Sequence, residues 1–363
     1  MKRYLLGASA IAAIGAVAFI AYGQSLDGGG GLQTPPVEIT LRDSFDVEPA
    51  DAKANAIVAA ANTFLATLSG DERALAVYEF TDNIQRSNWS NFPTGPVQRG
   101  GVMRGDLTDQ QNAAMDALLA EVMSEDGMNN IRWQLAAEET FDEGPGGGAQ
   151  FGDEYYFMSF LGEPSTEQPW MLQFGGHHLA YNMTFVGPDV SFSPMLTGGE
   201  PLKITYEGDA IFITEIELRA ADAFMASLDD TQRNTVIRSS SAINLVAGPG
   251  EFGATIAPEG LKGSEMTQDQ QALLSAVVAA RLGFMNEDDL LPHMETIRSE
   301  IEETYFGWWG PTDTLGAGYF RVTGPSVLIE YAPVDQDGDP TDHAHNMYRD
   351  PSNDYGTAWI AVR

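Results

Sequence analysis

The spacing of apolar residues predicts helices in two separate parts of the chain. After Pro49, apolar side chains recur every three or four positions, which places them on one face of a helix. The same spacing returns in the second half, and Thr108 and Thr267 stand where an N-cap would open a further helix in each half. The apolar positions of the two leading helices are Ala52, Ile57, Ala60, Phe64 and Leu68, and then Ala220, Phe224 and Leu228. Further helices are predicted over 109–123, 128–141, 268–281 and 287–303.

Each helical part is followed by segments in which apolar and polar residues alternate, which is the period of a β-strand. Aromatic residues are concentrated in these segments. The predicted strands are 154–161, 170–174 and 177–186 in the first half, and 305–309, 318–323, 327–331 and 358–362 in the second. Helices followed by an antiparallel meander, in each half of the chain, indicate an α+β fold.

The two halves also share sequence. The run Phe-Leu-Ala-Thr-Leu at 64–68 returns as Phe-Met-Ala-Ser-Leu at 224–228. We interpret the chain as a tandem duplication of one α+β unit, with repeats at 47–200 and 201–363. A single sheet that both meanders share across a pseudo-twofold axis is the favoured arrangement.

Residues 1–23 have the pattern of a signal peptide. Lys2 and Arg3 precede an apolar stretch, and a small-residue cleavage position precedes Gln24. An uncleaved membrane anchor is the alternative, because the stretch is nearly long enough to span a bilayer. Residues 24–46, with clusters of Gly and Pro, are predicted to be a flexible linker. Both interpretations place the folded part outside the cytoplasm, as a periplasmic or secreted bacterial protein.

Composition narrows the range of partners. The chain has 52 acidic against 19 basic residues, a formal net charge of −33 and no cysteine. Such a charge repels nucleic acid and anionic membrane surfaces, so neither is an expected partner beyond the N-terminal signal or anchor. The absence of cysteine excludes disulfides, thiol catalysis and thiolate metal sites. A small-molecule ligand is the expected partner, and the residues give no indication of the oligomeric state.

Four of the five histidines follow predicted strands, and two of them are adjacent. Gly175-Gly176 fits a two-residue hairpin turn, because such turns need the positive φ that glycine adopts at little cost. That turn would place His178 opposite Gln173 on a polar face and His177 on an apolar face. The neighbouring histidines are therefore predicted to point to opposite sides of the sheet and not to bind one metal together.

The second half offers a metal-ligand pattern. His343 and His345 are two positions apart, so on a strand they would project from the same face, and Glu330 lies on a neighbouring predicted strand. Two imidazoles and a carboxylate form a three-ligand site with an open position, which suits Zn²⁺, with Fe²⁺ or Cu²⁺ as alternatives. His178 is a further candidate ligand from the first half, and His177 is another.

Glu330 and Arg349 are the candidate catalytic residues. Arg349 or Arg86 would hold an anionic or polar substrate, and Glu330 would be a ligand of the metal that carries the chemistry. In the alternative interpretation, Glu330 forms an ion pair with Arg349 or Arg321 and has a structural role.

A loop rich in polar and aromatic residues is the candidate ligand-binding surface. Arg86, Trp89 and Asn91 lie close together in a segment without a counterpart in the second half. Trp308 is a further candidate, because one of two adjacent tryptophans on a strand faces away from the core. The alternative is an aromatic lid that packs over the sheet.

Asp335, Asp337 and Asp339 alternate around a glycine and partly resemble a calcium-binding loop. The complete pattern with its closing glutamate is missing. A solvated acidic loop is the favoured interpretation in so acidic a protein, and calcium is not the expected cofactor.

Several motifs resemble a bacterial family known as domain of unknown function 3500. The matching segments include Phe-Gly-Gly-His-His-Leu at 174–179, Gly-Pro-Ser-Val-Leu-Ile-Glu-Tyr at 324–331, and the stretch from His343 to Pro351. The region around Asn88 and Trp89 and the segment 107–111 match as well. The resemblance covers nearly the whole mature chain and implies no particular activity.

Known nucleophile and phosphate-binding motifs are absent from the sequence. The histidines and the carboxylate therefore carry the functional hypothesis, which is an exported, hydrolase-like, metal-dependent enzyme. The alternative is a non-catalytic periplasmic protein that binds a small molecule or a metal.

Overall fold

The computed structural model describes residues 38–140, 150–249, 256–335 and 338–362. Within these ranges it contains nine α-helices, a 13-stranded mixed sheet and two antiparallel sheets of two strands each. This mixed content of helices and strands agrees with the prediction. The predicted export signal at 1–23 lies outside the described residues. In the described part, no helix is long and apolar enough to cross a bilayer.

The α-helices form two series, one in each half of the chain. They are α1 (Ala52–Thr67), α2 (Gly70–Ala76), α3 (Asn83–Arg86), α4 (Asp109–Val122), α5 (Glu125–Glu138), α6 (Glu215–Ala226), α7 (Asp230–Val236), α8 (Gln268–Leu282) and α9 (Glu287–Ser299). The side chains of Thr108 and Thr267 cap α4 and α8 by accepting from the backbone amide three residues on, as predicted. The helix predicted to begin at 128 begins earlier, because Ser124 is its N-cap.

The two series use the same contact between helices. Gln111 on α4 completes a capping box, and its Nε2 also donates to the carbonyl oxygen of Thr67 at the end of α1, at 3.2 Å. Gln270 on α8 does the same with the carbonyl oxygen of Ser227 after α6, at 3.0 Å. Both halves therefore join their first helix to the threonine-capped helix through a glutamine side chain.

The strands are short, and most of them belong to one central sheet. In chain order they are β1 (Ile39–Leu41), β2 (Val77–Tyr78), β3 (Val102–Met103), β4 (Phe157–Leu161), β5 (Trp170–Gly176), β6 (Leu179–Val186), β7 (Asp189–Ser191), β8 (Met195–Gly199), β9 (Lys203–Tyr206), β10 (Asp209–Phe212), β11 (Ile237–Ser239), β12 (Leu261–Lys262), β13 (Tyr305–Trp309), β14 (Tyr319–Thr323), β15 (Leu328–Pro333), β16 (Ala344–Arg349) and β17 (Ile360–Val362).

The central sheet has the order β11-β13-β14-β15-β16-β8-β6-β5-β4-β2, with β12, β3 and β7 paired beside it. The strands β4, β5 and β6 form an antiparallel meander, and so do β13 to β16. The meanders meet where β16 pairs with β8, which sets His345 opposite Gly198. We call the junction of β6, β8 and β16 the seam. One sheet thus carries strands from both halves, as the sequence favoured.

The prediction missed two of the three strands that form the seam, β8 and β16. It placed a last strand near 358–362, but β17 pairs with β1 in a separate two-stranded sheet. The strand that follows β15 in the central sheet is β16. It was not predicted because it directly follows an aspartate-rich loop, and acidic residues are typical of loops. The partner of β17 lies inside the predicted linker 24–46, so regular structure begins before residue 47.

The two faces of the central sheet are covered differently. On the helix face, large apolar residues such as Trp170 and Leu172 pack with the helices in the main core. On the opposite face, Met347 and its neighbours form a smaller core with Trp89 and Tyr355, which come from loops. We call this the loop face. His345 projects from it, because side chains on β16 alternate and Met347 lies two positions further on.

Candidate metal centre

Three imidazoles meet at one end of the seam. His178 lies in the turn between β5 and β6, His345 lies on β16, and His343 immediately precedes β16. The Nε2 atoms of His178 and His343 are 3.0 Å apart, and one nitrogen from each of the three rings falls within a span of 4.8 Å. All three side chains are buried. We call them the three-histidine group.

The rings of the three-histidine group are arranged around a common point. The rings of His178 and His345 stack with centroids 5.0 Å apart and an interplanar angle of 26°. His343 meets both rings edge-on, at centroid distances of 4.9 and 5.1 Å. For His178 and His343 the Nε2 atoms face each other, which is the orientation that a shared cation requires.

The hairpin turn that carries His178 falls two residues later than the sequence indicated. The pairing of Gly176 with Leu179 makes His177 and His178 the turn residues. The prediction that these histidines point to opposite sides is therefore wrong, and their ring centroids are only 3.8 Å apart. Gly175 is a strand residue that permits close packing, because a Cβ there would lie 2.3 Å from the carbonyl oxygen of Leu179.

The backbone of His178 is strained. Its φ is 52°, in the left-handed region that glycine or asparagine usually occupies in a two-residue turn. That conformation costs a residue with a Cβ about 1–2 kcal/mol. A strained position occupied by a buried polar residue points to a requirement for that side chain.

A buried carboxylate lies on the other side of His178. The Oε1 atom of Glu138, at the end of α5, is 2.7 Å from Nδ1 of His177 and 4.0 Å from Nδ1 of His178. These three residues form a second buried group with ligand atoms within 4.8 Å of one another. We call it the Glu138 group. His178 belongs to both groups, since its Nε2 faces His343 and its Nδ1 faces Glu138.

Sequence reasoning missed Glu138, although the helix contained a signal. Asn130, Gln134 and Glu138 follow one another at helical spacing on α5, and all three are buried. Polar residues on the inward face of a helix require polar partners in the core. Gln134 donates to the carbonyl oxygen of Gly198 at 2.6 Å, and the hydroxyl of Tyr181 donates to Asn130 at 3.3 Å. These bonds fix the end of α5 over the seam.

A loop from the first half covers His345. The Nδ2 atom of Asn91 lies 3.2 Å from Nε2 of His345, and this contact orients the ring. Arg99 donates to the carbonyl oxygens of Ser90 and Gly176, at 2.9 and 3.3 Å, and so ties the loop to the end of β5. Asn91, which the sequence predicted to bind a ligand, therefore lies beside the candidate metal ligands.

Burial keeps the imidazoles of the three-histidine group neutral. Burial first, and then the charges of neighbouring histidines, lower the pKa of His178 well below its ordinary value. The same causes lower the pKa of His343 to about 2 and the pKa of His345 to about 3. Neutral imidazole is the form that binds metal ions. At neutral pH these rings are therefore in the protonation state that a metal requires.

Glu330, the predicted carboxylate ligand, is engaged elsewhere. The register of β15 sets it two strand positions away from the residue that faces His345. Its carboxylate accepts hydrogen bonds from the backbone amides of Val246 and Ala247, at 2.9 and 2.7 Å, and from the hydroxyl of Tyr319 at 2.5 Å. Burial raises the pKa of this carboxyl group, and the three hydrogen bonds oppose that change. The structure does not bring Glu330 into the three-histidine group.

Arg349, the other predicted catalytic residue, holds two loops together. Its guanidinium donates to the carbonyl oxygens of Ala247 and Gly248, at 3.1 and 2.8 Å, and to the carboxylate of Asp354 at 2.6 Å. The side chain is fully buried. In place of the ion pair that the alternative interpretation predicted, Glu330 and Arg349 both form hydrogen bonds with the loop around Ala247.

The other predicted ligand-binding residues are also buried in packing. Arg86 donates to the carbonyl oxygen of Tyr355 at 3.0 Å, and burial lowers the pKa of Arg86 to about 10. The indole of Trp89 donates to the hydroxyl of Tyr355 at 2.6 Å on the loop face. Trp308 lies on the helix face, stacked against Phe320. Arg86 and Trp89 match the alternative interpretation of a packing lid over the sheet.

In the described part of the acidic loop, Asp335 and Asp339 form local turns with the backbone amides that follow them. Asp337 lies outside the described residues. The carboxylate of Asp335 accepts from the backbone amide of Gly338 at 2.8 Å, and that of Asp339 accepts from Thr341 at 2.9 Å. Asp335 and Asp339 are exposed, which agrees with the favoured solvated loop.

The family resemblance seen in the motifs is confirmed by comparison with known families. A family model described as a protein of unknown function, DUF3500, matches residues 50–357, which is most of the chain. No curated protein matches the sequence, and no solved structure matches it either.

Proposed function

The chain belongs to the DUF3500 family of unknown function, and we propose from its geometry that it binds a transition-metal ion through His178, His343 and His345. The observation that carries this proposal is the 3.0 Å separation of two buried Nε2 atoms, on His178 and His343, that come from opposite halves of the chain. Nitrogen ligands of a tetrahedral Zn²⁺ lie about 3.3 Å from one another, because each is about 2.0–2.1 Å from the ion. The two imidazoles are thus spaced as ligands of one ion.

The third ring favours a metal site over a simple hydrogen bond. One N–H···N hydrogen bond would satisfy the two facing nitrogens of His178 and His343. It would not account for His345, whose ring is held against His178 and oriented by Asn91. It would also not account for the strained backbone of His178. A cation bound by three neutral nitrogens explains all of these features together. Zn²⁺ fits this donor set, and Fe²⁺ or Cu²⁺ would use the same ligands.

The binding experiment uses the full chain without an affinity tag, because a histidine tag binds metal itself. Metal content is measured after purification, and affinity is measured by titrating chelator-stripped protein with Zn²⁺. We expect His343→Ala and His345→Ala to weaken binding by more than the roughly 10- to 100-fold that changes around metal ligands cost.

The matched control is His293→Ala, which removes the fifth histidine. His293 lies on α9, where its Nδ1 contacts the carbonyl oxygen of Asp289 at 2.8 Å. This variant is expected to bind Zn²⁺ as the wild type does. Equal affinity in all four proteins would overturn the proposed metal site.

We further propose a hydrolytic use of the bound ion on a small-molecule substrate. Three protein nitrogens leave a fourth position on a tetrahedral ion, and a water there becomes a nucleophile near neutral pH. The approach would be from the side of His343, the most exposed of the three rings at 9%. There the carboxylate of Glu200 lies 3.7 Å from Nδ1 of His343.

Hydrolysis is tested on a panel of esters, amides and phosphoesters with stripped and reloaded protein. We expect turnover to disappear on chelation, to return with Zn²⁺ and to be lost in His343→Ala. Metal binding without turnover of any panel member would instead support the alternative of a non-catalytic metal-binding protein.

We infer that the halves arose by duplication of one unit. The equal roles of Gln111 and Gln270 and the equal order of the two meanders support this. A further similarity is the positive φ of Gly101 and Gly260. Gly101 packs against β4 and Gly260 packs against β13, which are the strands that follow the helices of each half. Superposition of the halves of an experimental structure is expected to align these elements, and a failure to do so would argue against duplication.

We also propose that the protein is exported to the periplasm or secreted. The support is the pattern of residues 1–23, with two cations before an apolar stretch. Fractionation and mass analysis of the mature chain test this proposal. Cleavage before Gln24 is expected, whereas an intact N-terminus on a cytoplasmic protein would contradict export.

A further inference from the structure

One side chain is common to both buried groups at the seam. We infer that His178 is a bridging ligand between two metal ions, one on each nitrogen of its ring. The first ion is the one held by the three-histidine group, so the inference rests on the proposed function. The second ion is held by Nδ1 of His178, Nδ1 of His177 and the carboxylate of Glu138.

The position of Nδ1 of His178 supports the second ion. This atom is buried and makes no hydrogen bond with any residue that the structure describes. Its nearest acid is Oε1 of Glu138, at 4.0 Å, which is too far for a hydrogen bond. Burying a polar atom without a partner is costly, and such atoms in native proteins call for an explanation such as a bound ion. A cation between the ring and the carboxylate supplies the missing partner.

The other two ligands of the second ion are already in place. His177 and Glu138 are buried, and their Nδ1 and Oε1 atoms are 2.7 Å apart. The ligand atoms of the Glu138 group lie within 4.8 Å of one another, the same span as in the three-histidine group. The turn holds the rings of His177 and His178 side by side, with centroids 3.8 Å apart. The strained φ of His178 thus serves two sites at once.

The charges at the seam suit a bridged pair. An imidazole that binds an ion on both nitrogens releases its N–H proton to solvent and becomes an anion. Glu138 contributes a second negative charge beside one ion, and Glu200 contributes a third beside His343. Three negative charges at the seam offset most of the charge of two divalent ions. The net charge of −33 on the whole chain adds a favourable long-range field.

The bridge also sets the distance between the two ions, and this distance decides whether both could act on one substrate. Ions on opposite nitrogens of one imidazole stand about 6 Å apart, because two metal–nitrogen bonds of about 2.0–2.1 Å add to the roughly 2.2 Å between the ring nitrogens. Two-metal sites in which both ions hold the reacting group have separations of about 3.5–4 Å. A substrate would therefore meet only one of the two ions. The partial exposure of His343 favours the ion of the three-histidine group, and the buried ligands of the Glu138 group would hold the ion that fixes the bridge.

Metal stoichiometry on the untagged full chain tests the bridge. Chelator-stripped wild type and Glu138→Gln are saturated with Zn²⁺, and the tightly bound ions per chain are counted. Wild type is expected to bind two ions and Glu138→Gln one, while the first ion keeps its place. The control is Glu125→Gln, which removes an exposed carboxylate from the other end of α5 and is expected to bind two ions.

A second measurement covers the case in which Glu138→Gln folds poorly. Wild type loaded with Cu²⁺ is examined by electron paramagnetic resonance, where an imidazolate bridge couples the two ions and reduces the signal below that of two isolated ions. An uncoupled signal from one ion per chain would overturn the inference.

The outcomes separate this inference from the proposed function. One ion in wild type, bound about 10- to 100-fold more weakly by Glu138→Gln, would make Glu138 a residue that orients the His178 ligand. That result would overturn the bridge and leave the proposed metal site standing. No tightly bound ion in wild type would overturn both.

Discussion

The loop face holds two buried clusters of ionisable side chains, which differ in how completely their polar atoms are hydrogen-bonded. Around Glu330 and Arg349, the carboxylate accepts from two backbone amides and a hydroxyl, and the guanidinium donates to two carbonyls and Asp354. At the seam, imidazole nitrogens face one another, and Nδ1 of His178 and Nδ1 of His343 lack hydrogen bonds within the described part of the chain.

This difference separates a structural cluster from the candidate metal site. Burial and charge alone would have selected Glu330 and Arg349, as the sequence did. Their hydrogen bonds are already completed by the chain, and a completed network stabilises the fold. Each neutral imidazole has one donor and one acceptor nitrogen, and buried nitrogens of His178 and His343 have no hydrogen-bond partner in the described part of the chain. We propose that a cation completes this arrangement.

The largest expected effect comes from breaking the completed cluster. Arg349→Met removes the cation that pairs with the buried carboxylate of Asp354 at 2.6 Å, and we expect a loss of about 3–5 kcal/mol in the free energy of unfolding. Urea denaturation of the stripped protein measures this loss. The folded fraction should still bind Zn²⁺ with wild-type affinity.

The control for this change is Arg219→Met, which breaks an exposed pair with Glu215 on α6. It is expected to cost less than about 1 kcal/mol. If Arg349→Met instead abolished metal binding at unchanged stability, the division into structural and functional clusters would be incorrect.

A smaller effect is expected where the loop touches the histidines. Asn91→Ala removes the amide beside Nε2 of His345, so the ring loses its orientation. We expect Zn²⁺ affinity to fall by about 10- to 100-fold, with about 1 kcal/mol lost in stability. Isothermal titration with Zn²⁺ and urea denaturation measure the two quantities. Asn62→Ala, at an exposed position on α1, is the control, and an equal effect of both variants on affinity would refute the role of Asn91.

The smallest effect is a change in how stability depends on pH. An unfolded histidine has a pKa of 6.5, whereas burial lowers the pKa of His345 to about 3 in the folded protein. Between these values the unfolded chain binds a proton that the folded chain does not bind, so stability present above pH 6.5 is lost as the pH falls. We expect His345→Gln to reduce the stability difference between pH 7 and pH 5.5 by about 1 kcal/mol in stripped protein.

The pH experiment needs a comparison of variants, because another buried group acts in the opposite direction. Burial raises the pKa of Glu217 from 4.5 to about 7, so its contribution to stability falls as the pH rises through that interval. His293→Gln is the control for His345→Gln. An identical pH dependence in His345→Gln and wild type would show that His345 is not held neutral by burial.

The sequence predicted those parts of the fold that are encoded locally. The caps at Thr108 and Thr267 were found because a capping box is a contact over three residues. The turn was misplaced because Gly175 and Gly176 carry a turn signal, while their actual role is to let two backbones approach. The need for glycine at these positions comes from the neighbouring strand, so a pattern of residues along the chain does not reveal it.

Only those parts of the candidate site that are encoded locally were predicted. The histidines were found as an unusual residue type, and the spacing of His343 and His345 on one strand is local. Glu138 was missed because it comes from a helix far from the turn in sequence. Glu330 was wrongly placed in the site because the sequence does not show what binds its carboxylate. The backbone amides of Val246 and Ala247 donate to it, and they approach it only in the folded chain.

The seam has a consequence for synthesis of the protein. His178 and His343 are 165 residues apart in the chain, and β8 receives its partner β16 only when the last part of the chain has been made. Until then β8 presents an unpaired strand edge, the kind of surface that joins with other chains. Pairing of β16 with β8 closes that edge and also brings His343 and His345 to His178. The proposed metal site therefore forms only when the sheet is complete.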